Sequence, residues 1–137
     1  MRLEEQLSFS VYSTMLAFNK AYKPLLASLD LTYSQYLAML VLWERDVIPL
    51  GDIGERLFLD SGALTPLLKR LEGAGLVRRA RDPGDERVVL ITLTDAGRNL
   101  RSAATEVAVG ITHALGLAPA LSEQLRMALN EMRRRLS

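Results

Sequence analysis

The chain has 137 residues, 49% of them hydrophobic, which is enough for one packed domain and lies outside the disordered class. Its formal net charge of +1 excludes a uniformly basic nucleic-acid binder, so any DNA contact must depend on a local cluster of basic residues. With no cysteine and a single histidine, His113, disulfides, thiol chemistry and the usual metal clusters or catalytic triads are excluded. We therefore expect a non-enzymatic protein without a metal or cofactor.

The N-terminus, MRLEEQLSFS, carries acidic residues and no continuous apolar stretch, so it does not resemble a signal peptide. No apolar run approaches the roughly 18 residues that a membrane span needs. We expect a cytoplasmic protein without membrane contact.

Apolar residues at helical spacing predict a first helix from Leu3 to about Leu26, ending or bending near Pro24. Thr32 is a suitable N-cap for a second helix, Tyr33 to Glu44. That second helix is apolar on nearly every side, which predicts that it is central and buried.

A short third helix is predicted at residues 52–57, and Asp60 or Ser61 then caps a fourth helix that ends at Gly73. Pro66 is unusual this far into a helix, but the apolar period continues through it. The inner stripe consists of leucines at helical spacing: Leu64, Leu67, Leu68 and Leu71.

The opposite face of the fourth helix is polar or small, and consists of Ser61, Thr65, Pro66, Lys69 and Arg70. A helix fits the major groove, where short polar side chains reach base edges and cationic ones neutralise phosphates. Taken singly, each of these residues is more typical of a solvated helix surface than of a DNA contact. Their clustering with further basic residues favours DNA contact: Arg78, Arg79, Arg81 and Arg87.

Residues 76–79 and 88–93 predict a β-hairpin with the tip sequence DPGDER. Asp85 stands two residues before Arg87, which allows its carboxylate to hold the guanidinium for insertion into an adjacent minor groove. The order helix, turn, helix, strand, charged turn, strand predicts a winged helix-turn-helix DNA-binding head at residues 31–94.

A long fifth helix is predicted from Thr94 or Asp95, and a final helix from about Ser122. Together with the first helix they are more apolar than a small head requires, so residues 1–30 and 95–137 predict a helical dimerisation region. The whole chain is then one mostly α (α+β) domain. A two-fold dimer presents two recognition helices to a pseudo-palindromic double-stranded operator, with half-sites about one helical turn apart.

These segments resemble the MarR family of winged-helix regulators, and within it the organic-hydroperoxide-sensing (OhrR-type) branch. The resemblance covers roughly residues 5–101 and rests on LSFSVYST, AYKPLLASLDLTYSQYLAMLVLWE and GERLFLDSGALTPLLKRLEGAGLVRRARDPGDERVVLITLTDAGR. It implies a homodimeric repressor that leaves DNA when an organic hydroperoxide oxidises a cysteine in the first helix. The C-terminal helices match only in length and character.

In that branch the sensor cysteine lies between a leucine and a phenylalanine, where this chain has Ser8. The tyrosines that hydrogen-bond it across the dimer match Tyr22 and Tyr33. Serine keeps the hydrogen bonds but has no oxidation ladder, so we expect a protein held in its DNA-binding form. Both an engineered Cys→Ser substitution and a natural member that has lost peroxide sensing, or responds to another signal, are compatible with the sequence.

Other functions remain open at this stage. A small apolar or phenolic ligand between the dimer helices would be lined by Met15, Phe18, Met39 and Trp43, although core packing also explains these residues. An architectural DNA protein would bind with a steep salt dependence and little sequence preference. A peroxide-reducing enzyme would need the cysteine, metal ligands or phosphate loop that the chain lacks.

Overall fold

The computed structural model describes residues 1–137 as six α-helices, one short 3-10 turn and a small three-stranded antiparallel sheet. The helices are α1 (Leu7–Ala27), α2 (Tyr33–Glu44), α3 (Leu50–Leu57), α4 (Ser61–Gly73), α5 (Asp95–Leu115) and α6 (Pro119–Leu136). The strands are β1 (Ile48–Pro49), β2 (Val77–Asp82) and β3 (Asp85–Leu93), in the sheet order β1-β3-β2. The predicted winged helix-turn-helix between N- and C-terminal helices is confirmed.

The first helix differs from its prediction at both ends. It begins at Leu7 because Leu3–Glu5 forms a separate 3-10 turn and Gln6 is extended. Pro24 does not end it, and α1 continues to Ala27. The proline removes one backbone bond, to the carbonyl of Lys20, and both residues are exposed, so water can satisfy that carbonyl.

The second helix follows its prediction closely. The Thr32 hydroxyl accepts a hydrogen bond from the Gln35 amide at 3.2 Å, and the Gln35 side chain accepts one from the Thr32 amide at 2.9 Å. This reciprocal capping box fixes the start of α2. The helix is central, and it buries Tyr36, Ala38, Met39, Val41 and Leu42.

The two-residue strand β1 was missed, because so short a segment carries no alternating pattern. It pairs with β3 through Ile48 and Ile91, and through Pro49 and Leu90. Helix α3 starts directly after Pro49, earlier than predicted. The φ of this proline, −58°, is already close to the helical value, so the helix can begin at the next residue.

Helix α4 begins as predicted, with the Asp60 carboxylate accepting a hydrogen bond from the Ala63 amide at 3.0 Å. Its predicted inner stripe is buried in full: Leu64, Leu67, Leu68 and Leu71. Pro66 lies on the opposite, exposed side, so the helix passes through it without losing core contacts.

The last helix begins at Pro119 rather than near Ser122, because a proline suits the first position of a helix. No residue of α6 is buried within the chain. No single helix is long and apolar enough to cross a membrane, and α5 and α6 reach that length and apolarity only when taken together across a 98° bend.

One continuous apolar core connects the end of α1 to the head and to α5. It runs from Leu26 through Leu42 and Leu68 to Ile91 and Val107. No polar or charged residue is buried in it. This core crosses the residue boundaries predicted between the head and the dimerisation region, and that division stays a prediction.

The start of α5 packs directly on backbone at Gly97. A Cβ there would overlap the Leu76 carbonyl oxygen, and the Gly97 carbonyl accepts a hydrogen bond from the Trp43 indole at 2.9 Å.

Because a Cβ has no room at this position, Gly97→Ala should lower the free energy of unfolding by at least about 1–3 kcal/mol, measured by urea denaturation. Gly51→Ala is the control, because a Cβ at Gly51 meets open space. Equal midpoints for the two variants would contradict this packing.

Candidate nucleic-acid interface and tyrosine pocket

The outer side of α4 brings the predicted DNA-contacting residues of that helix together. Ser61, Pro66, Lys69 and Arg70 are exposed, and Thr65 is half-buried at the edge. We call these five residues the recognition face. They lie opposite the buried leucines, so the core fixes the direction in which the face points.

At its N-terminal end, the recognition face has no bulky side chain. Gly62 and Ala63 are exposed beside Ser61, so the first turn of α4 carries only small side chains. Pro66 has no N–H, so the Gly62 carbonyl lacks the usual helical bond from the residue four positions later. Close approach to a groove is possible at this end, while Lys69 lies further along the helix.

Strands β2 and β3 form the predicted wing with a shorter tip than the sequence indicated. The ladder runs from Val77 opposite Leu93 to Asp82 opposite Asp85, which leaves only Pro83 and Gly84 in the turn. The Asp82 carboxylate accepts a hydrogen bond from the Gly84 amide at 2.9 Å and closes that turn. The remaining residues of the DPGDER tip therefore belong to strands.

Asp85 and Arg87 make the contact that their spacing predicted. The guanidinium donates from Nε to Oδ1 at 3.1 Å and from Nη2 to Oδ2 at 3.3 Å, and the Arg87 amide donates to Oδ1 at 3.1 Å. These bonds lower the pKa of the Asp85 carboxyl. The Arg87 side chain is still 90% exposed, so the wing presents an oriented, accessible cation.

The other arginines of the predicted basic cluster divide into two groups. Arg79 turns inward, where its amide donates to the Glu72 carboxylate at 3.0 Å and its guanidinium lies 4.0 Å from the same group. It therefore joins β2 to the end of α4. Arg78 and Arg81 are exposed, and Arg81 donates to the Glu86 carbonyl at 3.0 Å.

Three tyrosines of α1 and α2 form an aromatic cluster beside an open cavity of about 640 Å³. The Tyr22 ring centroid lies 4.7 Å from that of Tyr33 and 5.9 Å from that of Tyr36. Burial raises the pKa of Tyr22 to about 12, and also raises the pKa of Tyr33 and Tyr36. All three phenols therefore stay protonated donors at neutral pH. The sequence prediction lacked Tyr36, which its spacing from Tyr33 on one helix face could have indicated.

Ser8 does not reach this cluster within one chain. It is exposed in the first turn of α1, about four turns from Tyr22, which is about 21 Å at 1.5 Å per residue. The tyrosines are assembled by the single chain, but the predicted set of Ser8, Tyr22 and Tyr33 is not.

The residues suggested for an alternative ligand pocket are not all available to one. Met39 is 0% exposed in the core, and the Trp43 indole is held by the Gly97 carbonyl. Phe18 is half-buried next to Tyr22, and Met15 is exposed on α1. The suggestion was therefore wrong for Met39, for which the alternative of core packing holds, while Trp43 is half-buried against the core.

Apolar side chains remain exposed along one helix at each end of the chain. On α1 they are Leu7, Val11, Tyr12, Met15 and Leu16, and on α6 they are Leu121, Leu125, Met127, Leu129 and Leu136. An amphipathic helix with so many uncovered apolar residues normally packs against another surface.

A recognition helix in a helix-turn-helix, followed by a wing with an oriented arginine, defines a winged-helix DNA-binding protein. The family model for the transcriptional regulators SarA/Rot matches residues 20–103, which is more than half of the chain. The chain belongs to this SarA/Rot family of winged-helix transcriptional regulators, which share the MarR-type fold.

Two relatives indicate more specifically which type of regulator the chain resembles. It is 61% identical over 99 residues to the HTH-type transcriptional regulator TtmR of Methylorubrum extorquens (strain PA1), covering 72% of this chain and 51% of that regulator. The chain thus matches about half of TtmR. It is 47% identical over 126 residues to the organic hydroperoxide resistance transcriptional regulator of Bacillus subtilis (strain 168), covering 92% and 84% of the two chains. The predicted resemblance to the organic-hydroperoxide branch is confirmed.

Solved structures of the regulator AbfR share the fold. Reduced AbfR bound to DNA superposes with a TM-score of 0.84 at 38% identity, covering 99% of this chain and 93% of AbfR. Disulfide-formed AbfR gives a TM-score of 0.70 at 41% identity, covering 96% and 93%. Overoxidised AbfR bound to DNA gives a TM-score of 0.83 at 39% identity, so the present conformation is nearer to both DNA-bound forms than to the disulfide form.

Proposed function

We propose that the protein is a homodimeric, sequence-specific repressor of the organic-hydroperoxide-responsive type, with Ser8 at the position of the sensor cysteine. It acts on a pseudo-palindromic operator in the cytoplasm and is a regulator rather than an enzyme. The observation that carries the proposal is the Asp85-held, exposed Arg87 on the same head as the recognition face.

On the operator, α4 lies in the major groove. The hydroxyls of Ser61 and Thr65 face base edges there, while Lys69 and Arg70 neutralise phosphates. Arg87 enters the adjacent minor groove, whose negative potential favours a cation, and Asp85 holds its guanidinium in place.

A second copy of the chain covers the exposed apolar residues of α1 and α6. Because Ser8 and Tyr22 lie about four turns apart on α1, they share a helix face. Antiparallel packing of α1 on the partner's α1 brings Ser8 of one copy to the tyrosine cluster of the other. The exposure of Leu7, Val11 and Met15 on this helix supports such an arrangement.

In this dimer the Ser8 hydroxyl accepts hydrogen bonds from protonated phenols, as a reduced sensor would. It cannot be oxidised to a sulfenic acid, so the DNA-binding form persists in the presence of peroxide. The closer similarity to DNA-bound AbfR, reduced or overoxidised, than to its disulfide form supports a DNA-binding conformation.

Selection of duplexes from a random-sequence pool tests the proposal. We expect enrichment of inverted half-sites about 10 base pairs apart, centre to centre, bound by one dimer. Light scattering on the complex gives the number of chains. A pool that is not enriched after repeated rounds would contradict the proposal.

Two substitutions test the recognition face on the selected duplex. Thr65→Val replaces a hydroxyl by a methyl of equal size and should change the preferred base at one position, at about 1–3 kcal/mol. Lys69→Ala should weaken binding to all sequences and reduce the salt slope by about 1. Arg101→Ala, which removes one exposed charge from α5, is the control. Unchanged affinity and preference in both test variants would argue against this face.

A second candidate function is relief of repression by a small apolar or phenolic ligand, favoured by the open cavity beside Tyr22 and Tyr33. Salicylate should then displace the selected duplex from the unmodified chain. If salicylate at millimolar concentration leaves the complex intact, this candidate loses its support.

A further inference from the structure

The base of the wing lacks a strand partner on one side. Strand β1 pairs only Ile48 with Ile91 and Pro49 with Leu90. The same register would continue with Asp46 opposite Leu93, but Val47 has φ +54° and turns the chain away. A β-branched residue rarely adopts this conformation, so the turn is held by its surroundings.

The Asp46 side chain takes the place of the missing backbone. Its Oδ1 accepts hydrogen bonds from the Val47 amide and from the Leu93 amide, both at 2.8 Å. The first bond holds the left-handed turn, and the second satisfies the ladder position at the end of β3. The same carboxylate therefore fixes the turn and caps the strand.

Arg98, in the first turn of α5, completes the arrangement. Its Nη1 donates to the Leu93 carbonyl at 3.0 Å and lies 3.4 Å from Asp46 Oδ2, while its Nη2 bonds Asp95 at 2.5 Å. Both backbone polar groups of Leu93 are thus held by side chains from outside the sheet. We call Asp46 and Arg98, with the Leu93 backbone between them, the wing clamp.

The wing clamp differs from the other charged contacts of the molecule. A simple ion pair between exposed side chains contributes little. Here each charged group also bonds the backbone of β3, which restricts the direction of the strand. It is also the only ion pair that joins α5 or α6 to the head.

We propose that the wing clamp positions the wing: it sets the angle at which β3 leaves α5, and thereby the place of Arg87 relative to α4. Arg87 lies about six residues along β3 from Leu93, or about 20 Å at 3.3 Å per residue. A rotation of about 10° at the base then moves Arg87 by about 3.5 Å, which exceeds the length of a hydrogen bond. The inference rests on the proposed binding of Arg87 to DNA.

A double-mutant cycle tests whether the clamp acts through the wing. Affinities for the selected duplex are measured for the unmodified chain, Arg98→Ala, Arg87→Ala and the double variant at fixed salt. We expect Arg98→Ala to weaken binding about tenfold in the unmodified chain and less than about twofold when Arg87 is already absent, since coupled residues are not additive. Asp46→Asn, which keeps an acceptor for the Leu93 amide but loses the charge, should show the same coupling.

A control variant and the melting temperature distinguish a change in the position of the wing from the loss of a charge and from unfolding. Arg101→Ala removes the same charge one turn later on α5, from a side chain with no ion pair, and should lower affinity equally with and without Arg87. All variants are compared at a temperature where thermal melts show them folded. Equal losses for Arg98→Ala in both backgrounds would overturn the inference while leaving the proposed function intact. Failure of the unmodified chain to bind any selected duplex would overturn both.

Discussion

Ser8→Cys should make the protein release its operator when an organic hydroperoxide is added, whereas the unmodified chain should stay bound. In the proposed dimer, a thiol at this position meets the phenols of the partner's tyrosine cluster, whose hydrogen bonds favour the thiolate. Oxidation to the sulfenic acid then changes the size and hydrogen bonding of the group. Coupling between two sites of this kind typically changes affinity by about 5- to 150-fold.

The measurement is a mobility-shift titration with cumene hydroperoxide on the selected duplex, with mass spectrometry of the thiol. Ser8→Ala is the matched control, since it has neither a thiol nor a hydroxyl and should be insensitive to peroxide. A Ser8→Cys protein whose thiol is fully oxidised while the duplex stays bound would contradict the placement of the sensor position at Ser8. Tyr22→Phe in the Ser8→Cys background should slow the oxidation, because one stabilising donor is lost.

Arg87→Ala should weaken binding to the selected duplex by about 10- to 100-fold, with only a modest loss of sequence preference. The side chain is held by Asp85 and is 90% exposed, so the substitution removes the proposed contact with DNA and little packing. The remaining loss of preference should fall on A·T-rich flanks, where a narrow minor groove attracts arginine most strongly.

A salt series on the same duplex separates this contact from general electrostatics. Asp85→Asn keeps Arg87 but loses the charged anchor, and we expect it to lose less affinity than Arg87→Ala. An Arg87→Ala protein with the affinity and salt slope of the unmodified chain would mean that the wing does not touch the DNA.

The sequence predicts best where a periodic pattern and a packed core agree. Helices α2 and α4 follow their predictions because a capping residue and a buried apolar stripe specify the same segment, and Pro66 falls on the side away from the core. The contact between Asp85 and Arg87 is equally local, since it depends on a spacing of two residues.

The sequence alone does not predict the features that depend on residues far apart along the chain. Strand β1 is too short for a pattern, and its pairing depends on residues of β3 far along the chain. The wing clamp joins Asp46 to Arg98 through the Leu93 backbone, which no local spacing indicates. In the proposed dimer, the position of Ser8 relative to the tyrosines depends on a second copy of the chain, so neither the sequence pattern nor one chain specifies it. Only the resemblance to a known family suggested it.

The most direct test is the ratio of affinities of the unmodified chain for the selected duplex and for a scrambled duplex of the same composition. A sequence-specific repressor should bind the selected duplex at least about 1,000-fold more tightly at the same, near-physiological salt concentration. Equal affinities for the two duplexes, both falling steeply with added salt, would contradict the account and indicate an architectural DNA-binding protein.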